Sequence, residues 1–303
     1  MIRRILLASA GAMALAGPAF AADLAPPPVY VPPPPMWTGF YVGVNAGYDW
    51  AASTGINTNT VNVLSFGTLN GAIGSEVAAL ATGAGSLKPA GFIGGGQIGY
   101  NYQFANSFVV GLEADIDGIA GAHSHAALAQ AGSVPGSAPL TSADGALLWT
   151  KSVDYLGTVR GRFGFLVIPT LLVYGTGGLA YGETNASTGV AETLGYPDIP
   201  GPFGAFGSTT TTRVGWTAGG GLEWMFWPNW SFKVEYLYYD LGNVSYGFPV
   251  VQATQLGSGP FPPGGVETIG ASRTTTRFNG SVVRAGINYH FNWGAPAAVV
   301  AKY

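Results

Sequence analysis

Apolar and polar residues alternate with a period of two through most of the chain after Trp37, which is the pattern of half-buried β-strands. Each alternating segment is long enough for a tilted membrane strand, which needs about 9–11 residues. We therefore predict an all-β fold with eight antiparallel strands. The strands are expected at residues 39–50, 91–103, 107–118, 152–166, 170–182, 212–227, 229–245 and 280–292.

The two faces of these segments differ in chemistry, as segments 107–118, 152–166 and 280–292 illustrate. One face is apolar and would contact lipid in a membrane barrel, whereas the other is polar and would line the lumen. In a soluble sandwich, the apolar face would cover a core instead. The apolar face carries Phe108, Val110, Leu112, Ile116, Val153, Tyr155, Val159, Phe163, Phe165, Val283, Ile287, Tyr289 and Phe291. The polar face carries Glu113, Asp115, Asp117, Asp154, Thr158, Arg160, Arg162, Arg284, Asn288 and His290.

The connections between the segments decide between these two architectures. Short connections near Ala105-Asn106, Ile168-Pro169 and Trp227-Pro228-Asn229 alternate with long ones. This alternation is typical of an outer-membrane barrel with short periplasmic turns and long extracellular loops, and a sandwich has no reason to adopt it. We expect the long connections to be mobile, surface-exposed loops. They are 51–90, 119–151, 183–211 and 246–279.

Aromatic residues cluster at both ends of the segments, which predicts two girdles at the membrane interfaces. The cluster near the short turns contains Trp37, Phe40, Tyr102, Phe104, Phe226, Trp227, Trp230, Phe291 and Trp293. The cluster at the opposite ends contains Tyr48, Trp50, Tyr155, Tyr181, Tyr236 and Tyr238.

The composition supports export and membrane insertion. Only 9% of the 303 residues are charged, the mean hydropathy is +0.28, and the chain has no cysteine. After the N-terminal segment, no apolar run is long enough for a membrane helix, and a closed barrel is then the structure that satisfies backbone polar groups in lipid. A net charge of −3 without a basic stripe argues against nucleic acid as a partner. We expect outer-membrane lipid as a partner, surface ligands at the long loops, and a monomer or weak oligomer.

The first 21 residues have the three parts of a secretory signal peptide, namely Arg3-Arg4, a short apolar core and the cleavage site Ala19-Phe20-Ala21. The alternative is a retained N-terminal anchor. Residues 22–36 are rich in proline and form either a periplasmic spacer or a disordered tail. The barrel is expected over residues 37–293, and residues 294–303 form a C-terminal tail.

Five of the predicted strands carry a family resemblance, and they are TGFYVGVNAGYDW (38–50), VDYLGTVRGRFGF (153–165), LLVYGTGGLAYG (171–182), SFKVEYLYYDLG (231–242) and VVRAGINYHFNW (282–293). They resemble the small outer-membrane porin-family proteins of alphaproteobacteria, which belong with the OmpA-like eight-stranded barrels. It implies an integral outer-membrane barrel that is exposed at the cell surface and filled by side chains. Either Phe291 or Tyr303 would then serve as the terminal assembly signal.

The charged residues of the polar face form the candidate site. Glu113 and Arg160 lie at similar depth from their turns, as do Glu223 and Lys233. We predict an interior ion-pair network, because an eight-stranded barrel is just wide enough for side chains to fill it. The network either plugs the barrel, giving a structural and surface role in the envelope, or gates a narrow porin for small hydrophilic solutes. Its predicted members are Glu113, Asp115, Arg160, Arg162, Glu223, Lys233, Glu235 and Arg284.

Two other function classes would require features that differ from those of this sequence. A lipid-modifying enzyme would need a catalytic constellation, but we expect no catalytic, cofactor or metal site. His123 and His125 lie in a predicted small-residue loop where Asp144 is the nearest carboxylate, and His290 is expected to fill the lumen. A soluble secreted β-protein such as an adhesin would need more charge on its outer surface than these strands provide.

The stretch GFIGGGQIGYNYQF (91–104) contains G-x-G-x-x-G at Gly94, Gly96 and Gly99. A dinucleotide site requires a helix after these glycines, whereas here the strand alternation continues to a short turn. We interpret Gly94, Gly95 and Gly96 as a place where the wall bends or neighbouring side chains need room.

Overall fold

The computed structural model describes residues 37–63, 68–134, 141–195, 202–252 and 267–291. The predicted signal peptide (1–21), the proline-rich spacer (22–36), Trp293 and the C-terminal tail (294–303) lie outside the described residues. Within the described residues, no helix is long and apolar enough to cross a membrane.

The described chain forms eleven strands and a helix. The first strands are β1 (Gly39–Ala51), β2 (Gly55–Asn62), β3 (Gly83–Ser86), β4 (Ala90–Phe104), β5 (Phe108–Ala120) and β6 (His123–Val134). The longer strands are β7 (Thr141–Ile168), β8 (Leu171–Leu194), β9 (Pro202–Trp227), β10 (Trp230–Gln252) and β11 (Glu267–His290). Helix α1 (Thr68–Leu80) lies between β2 and β3. The prediction of an all-β antiparallel fold is confirmed.

All strands belong to one antiparallel sheet whose hydrogen bonding returns to its starting strand. The ladder runs β1–β4–β5–β7–β8–β9–β10–β11, and β11 also pairs with β1 from Tyr41↔His290 to Ala51↔Gly280. This cycle has no free edge, which removes the unpaired backbone groups that an open sheet would present. Its members correspond to the predicted segments.

The other three strands lengthen the sheet beyond the predicted segments. β2 continues the line of β1 along β11, and β3 pairs with β2. β6 continues the line of β5 along β7, from His123↔Ser152 to Val134↔Thr141. Here the prediction of mobile loops is wrong for large parts of 51–90, 119–151, 183–211 and 246–279, which are strand or helix. These segments are rich in small and hydroxylated residues, so their sequence lacks the strong alternation of a lipid-facing strand. They still form paired strands, and these strands enclose a separate apolar core. We call this part the outer extension.

The three predicted short connections lie at one end of the cycle, together with the start of β1 and the end of β11. The β4–β5 turn contains Ala105 and Asn106, both in the left-handed region with φ of 47° and 62°. The β9–β10 turn places Asn229 at φ 70° after Pro228. Asparagine tolerates this conformation, and proline supplies the preceding fixed φ, so these residues set tight turns.

The outward side chains of the cycle form an apolar belt. Val44, Phe92, Leu112, Ile116 and Leu179 are examples, each more than half exposed. Exposed aromatic rings lie near both edges of the belt, including Phe40, Tyr102 and Trp227 at the turn end and Tyr48, Trp50 and Tyr236 at the other. A belt of this kind matches the lipid-facing surface of a membrane barrel.

Two side chains of the predicted outer face are placed differently. Trp37 is fully buried, and its Nε1 donates a hydrogen bond of 3.0 Å to the Pro169 carbonyl, so it closes the turn end from inside. Val153 points inward and Asp154 outward, the reverse of the prediction. The β7–β8 register shifts between Val153 and Leu156, and this irregularity flips every side chain beyond it to the other face.

The outer extension encloses an apolar core. Val77 and Leu80 of α1 pack against residues such as Ile56, Leu147 and Trp149 from the surrounding strands. The helix therefore fills the space inside the extended strands. Glu192 on β8 is 1% exposed beside this core, where a Cβ on Gly145 would meet both Leu80 and the Glu192 side chain. Neither carboxylate oxygen of Glu192 has a hydrogen-bond partner within the described residues.

Protonation of Glu192 is expected to control how firmly α1 is held. Burial, and secondly Glu76 on α1, raises the pKa of Glu192 from its ordinary value near 4.5 to about 8. The folded state thus retains a proton that the solvated carboxyl would lose above its ordinary pKa. The contribution of Glu192 to the free energy of unfolding is therefore greatest below about pH 4.5. It falls as the pH rises from there to about 8, by at most about 1.4 kcal/mol per pH unit.

Hydrogen exchange of residues 68–80 between pH 5 and 9, corrected for intrinsic exchange rates, measures this effect. Protection in the wild type should fall with pH, and Glu192→Gln should remove the dependence. Glu183→Gln, on the same strand, is the control and should behave like the wild type. An unchanged pH dependence in Glu192→Gln contradicts the assignment.

Candidate functional site: a buried ionic network

The structure brings all eight predicted residues together inside the strand cycle. They come from five strands, and none is more than 5% exposed. Their strands point them inward because they occupy alternate positions, with the apolar belt on the positions between. Glu113 and Asp115 lie on β5, Arg160 and Arg162 on β7, Glu223 on β9, Lys233 and Glu235 on β10, and Arg284 on β11.

Strand register places acids directly opposite bases. Glu113 is the cross-strand partner of Arg160, Lys233 is the partner of Glu223, and Glu235 is the partner of Arg284. Opposite residues on neighbouring strands have Cβ atoms about 4.5–5.5 Å apart, so each pair starts within reach before any long side chain bends. The register of the cycle therefore sets which charges meet.

Arg160 is enclosed by carboxylates from two strands. It forms ion pairs with Asp115 at 2.8 Å and Glu235 at 2.9 Å, and it also contacts Glu113. Its Nε donates a hydrogen bond of 2.8 Å to the hydroxyl of Thr158. The planar guanidinium suits this arrangement because its donors point in several fixed directions at once.

Arg284 forms a second centre next to Arg160. It pairs with Asp115 at 2.7 Å and with Glu235 at 2.8 Å, so both arginines share these two carboxylates. It also contacts Asp117, which the sequence analysis placed on the polar face but left out of the network. Asp117 follows Glu113 and Asp115 at every second position of β5, so all three side chains lie on the same face of the strand. This spacing alone was sufficient to predict Asp117 as a member of the network.

Lys233 and Arg162 complete the network toward the turn end. Lys233 Nζ lies 2.9 Å from Glu113 Oε1, and Arg162 lies 2.6 Å from Glu223 Oε2. With Asp117 included, five carboxylates surround four cations, so attraction offsets most of the cost of burying the charges.

Two tyrosines that the sequence analysis did not predict as site residues tie the network together. The Tyr41 hydroxyl donates to Glu113 at 2.6 Å and accepts a hydrogen bond from Arg162 at 3.0 Å. The Tyr174 hydroxyl donates to Glu235 at 3.0 Å, and its ring lies 4.1 Å from the Arg162 guanidinium carbon. Neither tyrosine belongs to the predicted girdles, and the signal that indicates an inward side chain is the position of each between outward residues of its strand.

Apolar layers lie on both sides of the network. Toward the turns, Trp37, Val109, Leu166, Leu172 and Met225 form a buried cluster. Toward the outer extension, a second cluster fills the interior. It contains Ile93, Val153, Leu156, Ala180, Ala186, Leu237, Tyr239, Leu241, Val244, Phe278 and Val282. Apolar side chains therefore border the network on both sides.

The glycines of β4 make room for this filling. A Cβ on Gly95 would collide with the Asp117 carboxylate, and a Cβ on Gly99 would collide with the Tyr41 ring. Gly94 and Gly96 instead lie between the inward positions Ile93, Gly95 and Gln97. The need for space is thus met by Gly95 and Gly99, whereas the sequence interpretation had named Gly94, Gly95 and Gly96.

One group of residues has the composition of a catalytic triad without its geometry. Ser231 Oγ lies 2.9 Å from His290 Nε2, and its hydroxyl donates to Glu223 at 2.6 Å. The same His290 nitrogen also faces Glu223 at 3.3 Å, whereas a triad uses the two ring nitrogens separately. All three side chains are buried at 3% exposure or less, so a substrate has no access.

The other histidines are exposed on β6 and lie outside the network. His123 and His125 begin this strand, which corrects their placement in a loop. Asp144 pairs with Ala131, six residues along β6 from His125, and does not join them. Among the described residues, no group of three or more His, Asp or Glu side chains is arranged to hold a metal ion.

Comparisons with known proteins agree with this architecture. The family model for the outer membrane protein beta-barrel domain matches residues 6–291. The chain is 30% identical to the 31 kDa outer-membrane immunogenic protein of Brucella melitensis biotype 1, over 96% of this chain and 100% of the relative. It is 28% identical to the 25 kDa outer-membrane immunogenic protein of Brucella abortus biovar 1, over 81% and 87% of the two chains.

Solved structures of outer-membrane proteins also align with the chain. OprG from Pseudomonas aeruginosa matches with a TM-score of 0.36 and 9% identity, covering 84% of this chain and 97% of that one. Neisserial surface protein A matches with a TM-score of 0.29 and 13% identity, covering 84% and 98%.

Removal of Arg160 tests the energetic role of the network. Arg160→Met keeps most of the side-chain volume but leaves Glu113, Asp115 and Glu235 short of a cation. We expect a loss of about 3–5 kcal/mol in the free energy of unfolding, measured by urea titration in lipid vesicles.

The matched control is Arg273→Met, since this exposed arginine of the outer extension donates a hydrogen bond of 3.0 Å to the Ser245 hydroxyl. Exposed polar contacts contribute little, so this variant should unfold close to the wild type. Equal losses in the two variants would show that the interior arginine has no special role.

Proposed function

The chain belongs to the outer membrane protein β-barrel domain family, and from this premise we propose that it is a sealed barrel with a structural and surface role in the bacterial envelope. The protein is located in the outer membrane, as its relatives are. In this proposal the cycle of β1, β4, β5, β7, β8, β9, β10 and β11 is an eight-stranded transmembrane barrel.

We further propose that the short turns face the periplasm and the outer extension faces the cell exterior. Outer-membrane barrels have short periplasmic turns and longer outer connections. The three short turns and the two ends of the cycle share one end of the sheet, which supports this orientation. The long strands, α1 and the outer core would then project from the cell surface.

The observation that carries the sealed-barrel proposal is the order of layers in the interior. An ion crossing the barrel would first have to displace the apolar cluster around Trp37, then separate Arg160 and Arg284 from the carboxylates they share, and then pass the second apolar cluster. Each charge left without its partner in such a dry interior is costly. We infer that thermal motion does not open a continuous path.

The alternative is a narrow porin for small hydrophilic solutes. The polar and charged character of the network is the observation that favours it, because porin interiors are polar. A porin would also require water to run from one end of the lumen to the other. The two apolar clusters give that alternative less support than the sealed barrel.

We propose no enzymatic activity. Ser231, His290 and Glu223 support this choice through their burial and through the shared use of one histidine nitrogen. His290 instead stabilises Glu223 at the turn end of the network.

Conductance across planar bilayers tests the sealed barrel. The refolded protein should insert without producing discrete current steps, because no hydrated path crosses it. Heat-dependent migration in gel electrophoresis should confirm that the inserted protein is folded. Arg160→Ala and Glu113→Ala, measured in parallel, test whether the network acts as a gate.

Resolved current steps from the folded wild type would contradict the proposal and favour the porin. Steps in the wild type that change in Arg160→Ala or Glu113→Ala would assign the gate to the network. An absence of current steps in all three proteins agrees with a sealed barrel.

A further inference from the structure

The outer wall of the outer extension carries a polar face whose chemistry differs from the apolar belt below it. On β2, β10 and β11 many of the outward positions are exposed hydrogen-bonding residues. We call this surface the arginine face, and it consists of Asn57, Asn59, Asn243, Ser245, Arg273, Thr275 and Arg277.

Strand register arranges the arginine face in rows. Arg273 lies between Asn59 on β2 and Gly247 on β10. The next row toward the belt joins Asn57, Thr275 and Ser245, followed by Arg277 opposite Asn243. Because Gly247 has no side chain, the wall is notched beside Arg273, and the groove of about 490 Å³ there is lined by polar residues together with Val61, Tyr246 and Ala271.

The two arginines of this face differ in their partners. Arg277 forms an ion pair with Asp240, so its charge is compensated. Arg273 donates a hydrogen bond of 3.0 Å to the Ser245 hydroxyl, and no carboxylate of the described residues lies within ion-pair distance. An exposed guanidinium with free donors beside a groove is suited to a phosphate group, which accepts two parallel hydrogen bonds from arginine.

The height of the face indicates where such a phosphate would come from. The apolar belt on these strands ends near Tyr236 and Val283, which are cross-strand partners. Arg277 lies six residues and Arg273 ten residues beyond Val283, or about 15 and 25 Å along the barrel axis for tilted strands. These heights correspond to the headgroup and saccharide zone of an outer leaflet rather than to its acyl chains.

We propose that the arginine face binds the phosphate of an anionic saccharide headgroup, with Arg273 contacting the phosphate and Asn59 and Ser245 accepting or donating hydrogen bonds to adjoining sugar hydroxyls. The inference rests on the proposed orientation, in which the outer extension faces the cell exterior. It goes beyond the sealed-barrel role because it gives the surface a defined ligand chemistry.

Binding of a deacylated, phosphorylated lipopolysaccharide core oligosaccharide to the full chain in phosphatidylcholine nanodiscs tests the proposal. Arg273→Gln should weaken binding by about tenfold or more, since a charge-assisted hydrogen bond is lost. Lys88→Gln removes an exposed cation outside the arginine face and should leave the affinity unchanged. Wild-type affinity in Arg273→Gln, or an equal loss in Lys88→Gln, overturns the assignment.

Two further probes identify the source of the phosphate. The dephosphorylated oligosaccharide should bind the wild type as weakly as the phosphorylated one binds Arg273→Gln. Inorganic phosphate alone should bind far more weakly than the phosphorylated oligosaccharide, because it lacks the sugar contacts. Equal affinity for inorganic phosphate would make free phosphate the ligand and overturn the headgroup assignment.

Failure of this inference can be separated from failure of the sealed barrel. Heat-dependent migration reports whether each variant is folded, and conductance reports on the lumen, which Arg273 does not line. If the protein is folded and non-conducting but does not bind the oligosaccharide, the proposed binding site alone is wrong.

Discussion

Charge compensation among buried side chains is the constraint on which the rest of the structure depends. Arg160 and Arg284 share Asp115 and Glu235, which reach them from β5 and β10. These contacts exist only if the strands close in one register, because a slip of one residue would turn the charges toward lipid. The strand register therefore determines which ion pairs form, and the ion pairs in turn favour that register. Glycines such as Gly95 and Gly99 provide the space that the interior side chains require.

The apolar belt and the outer extension belong to the same sheet, but the polarity of their inner and outer faces differs. In the belt, apolar side chains face outward and the interior holds the charges. In the outer extension the relation reverses, since polar residues such as Asn59 and Arg273 face outward and α1 packs on an apolar interior around Trp149. In the proposed orientation, the strands change their pattern between these zones because the surroundings change from lipid to water.

The membrane strands could be predicted from sequence because lipid imposes a strict alternation on them. The eight network residues were found for the same reason, since charges such as Glu113 and Arg160 occupy every second position. Tyr41 and Tyr174 were omitted because the prediction of the network considered charged residues alone, whereas Asp117 fits both the charge and the spacing that the prediction used.

The outer extension was missed for a different physical reason. Its strands contain small and hydroxylated residues that face water on one side and a modest core on the other, so their alternation is weak. Val153 and Asp154 show a further limit, because a register shift in the sheet reverses the two faces without a signal in the local pattern. Partners across the barrel, such as Arg284 with Asp117, depend on closure and are not encoded by local spacing.

The central claim is that the interior is sealed, and thiol accessibility measures it most directly because the chain has no cysteine of its own. A cysteine at Ala180, which is fully buried in the apolar cluster beyond the network, can be probed with a small charged thiol reagent. Asn243→Cys, exposed on the outer extension, is the matched control. The sealed barrel predicts rapid labelling of Asn243→Cys and none of Ala180→Cys in folded protein, from either side of the membrane. Labelling of Ala180→Cys at a comparable rate would show that water and ions reach the centre of the barrel, and would contradict the account.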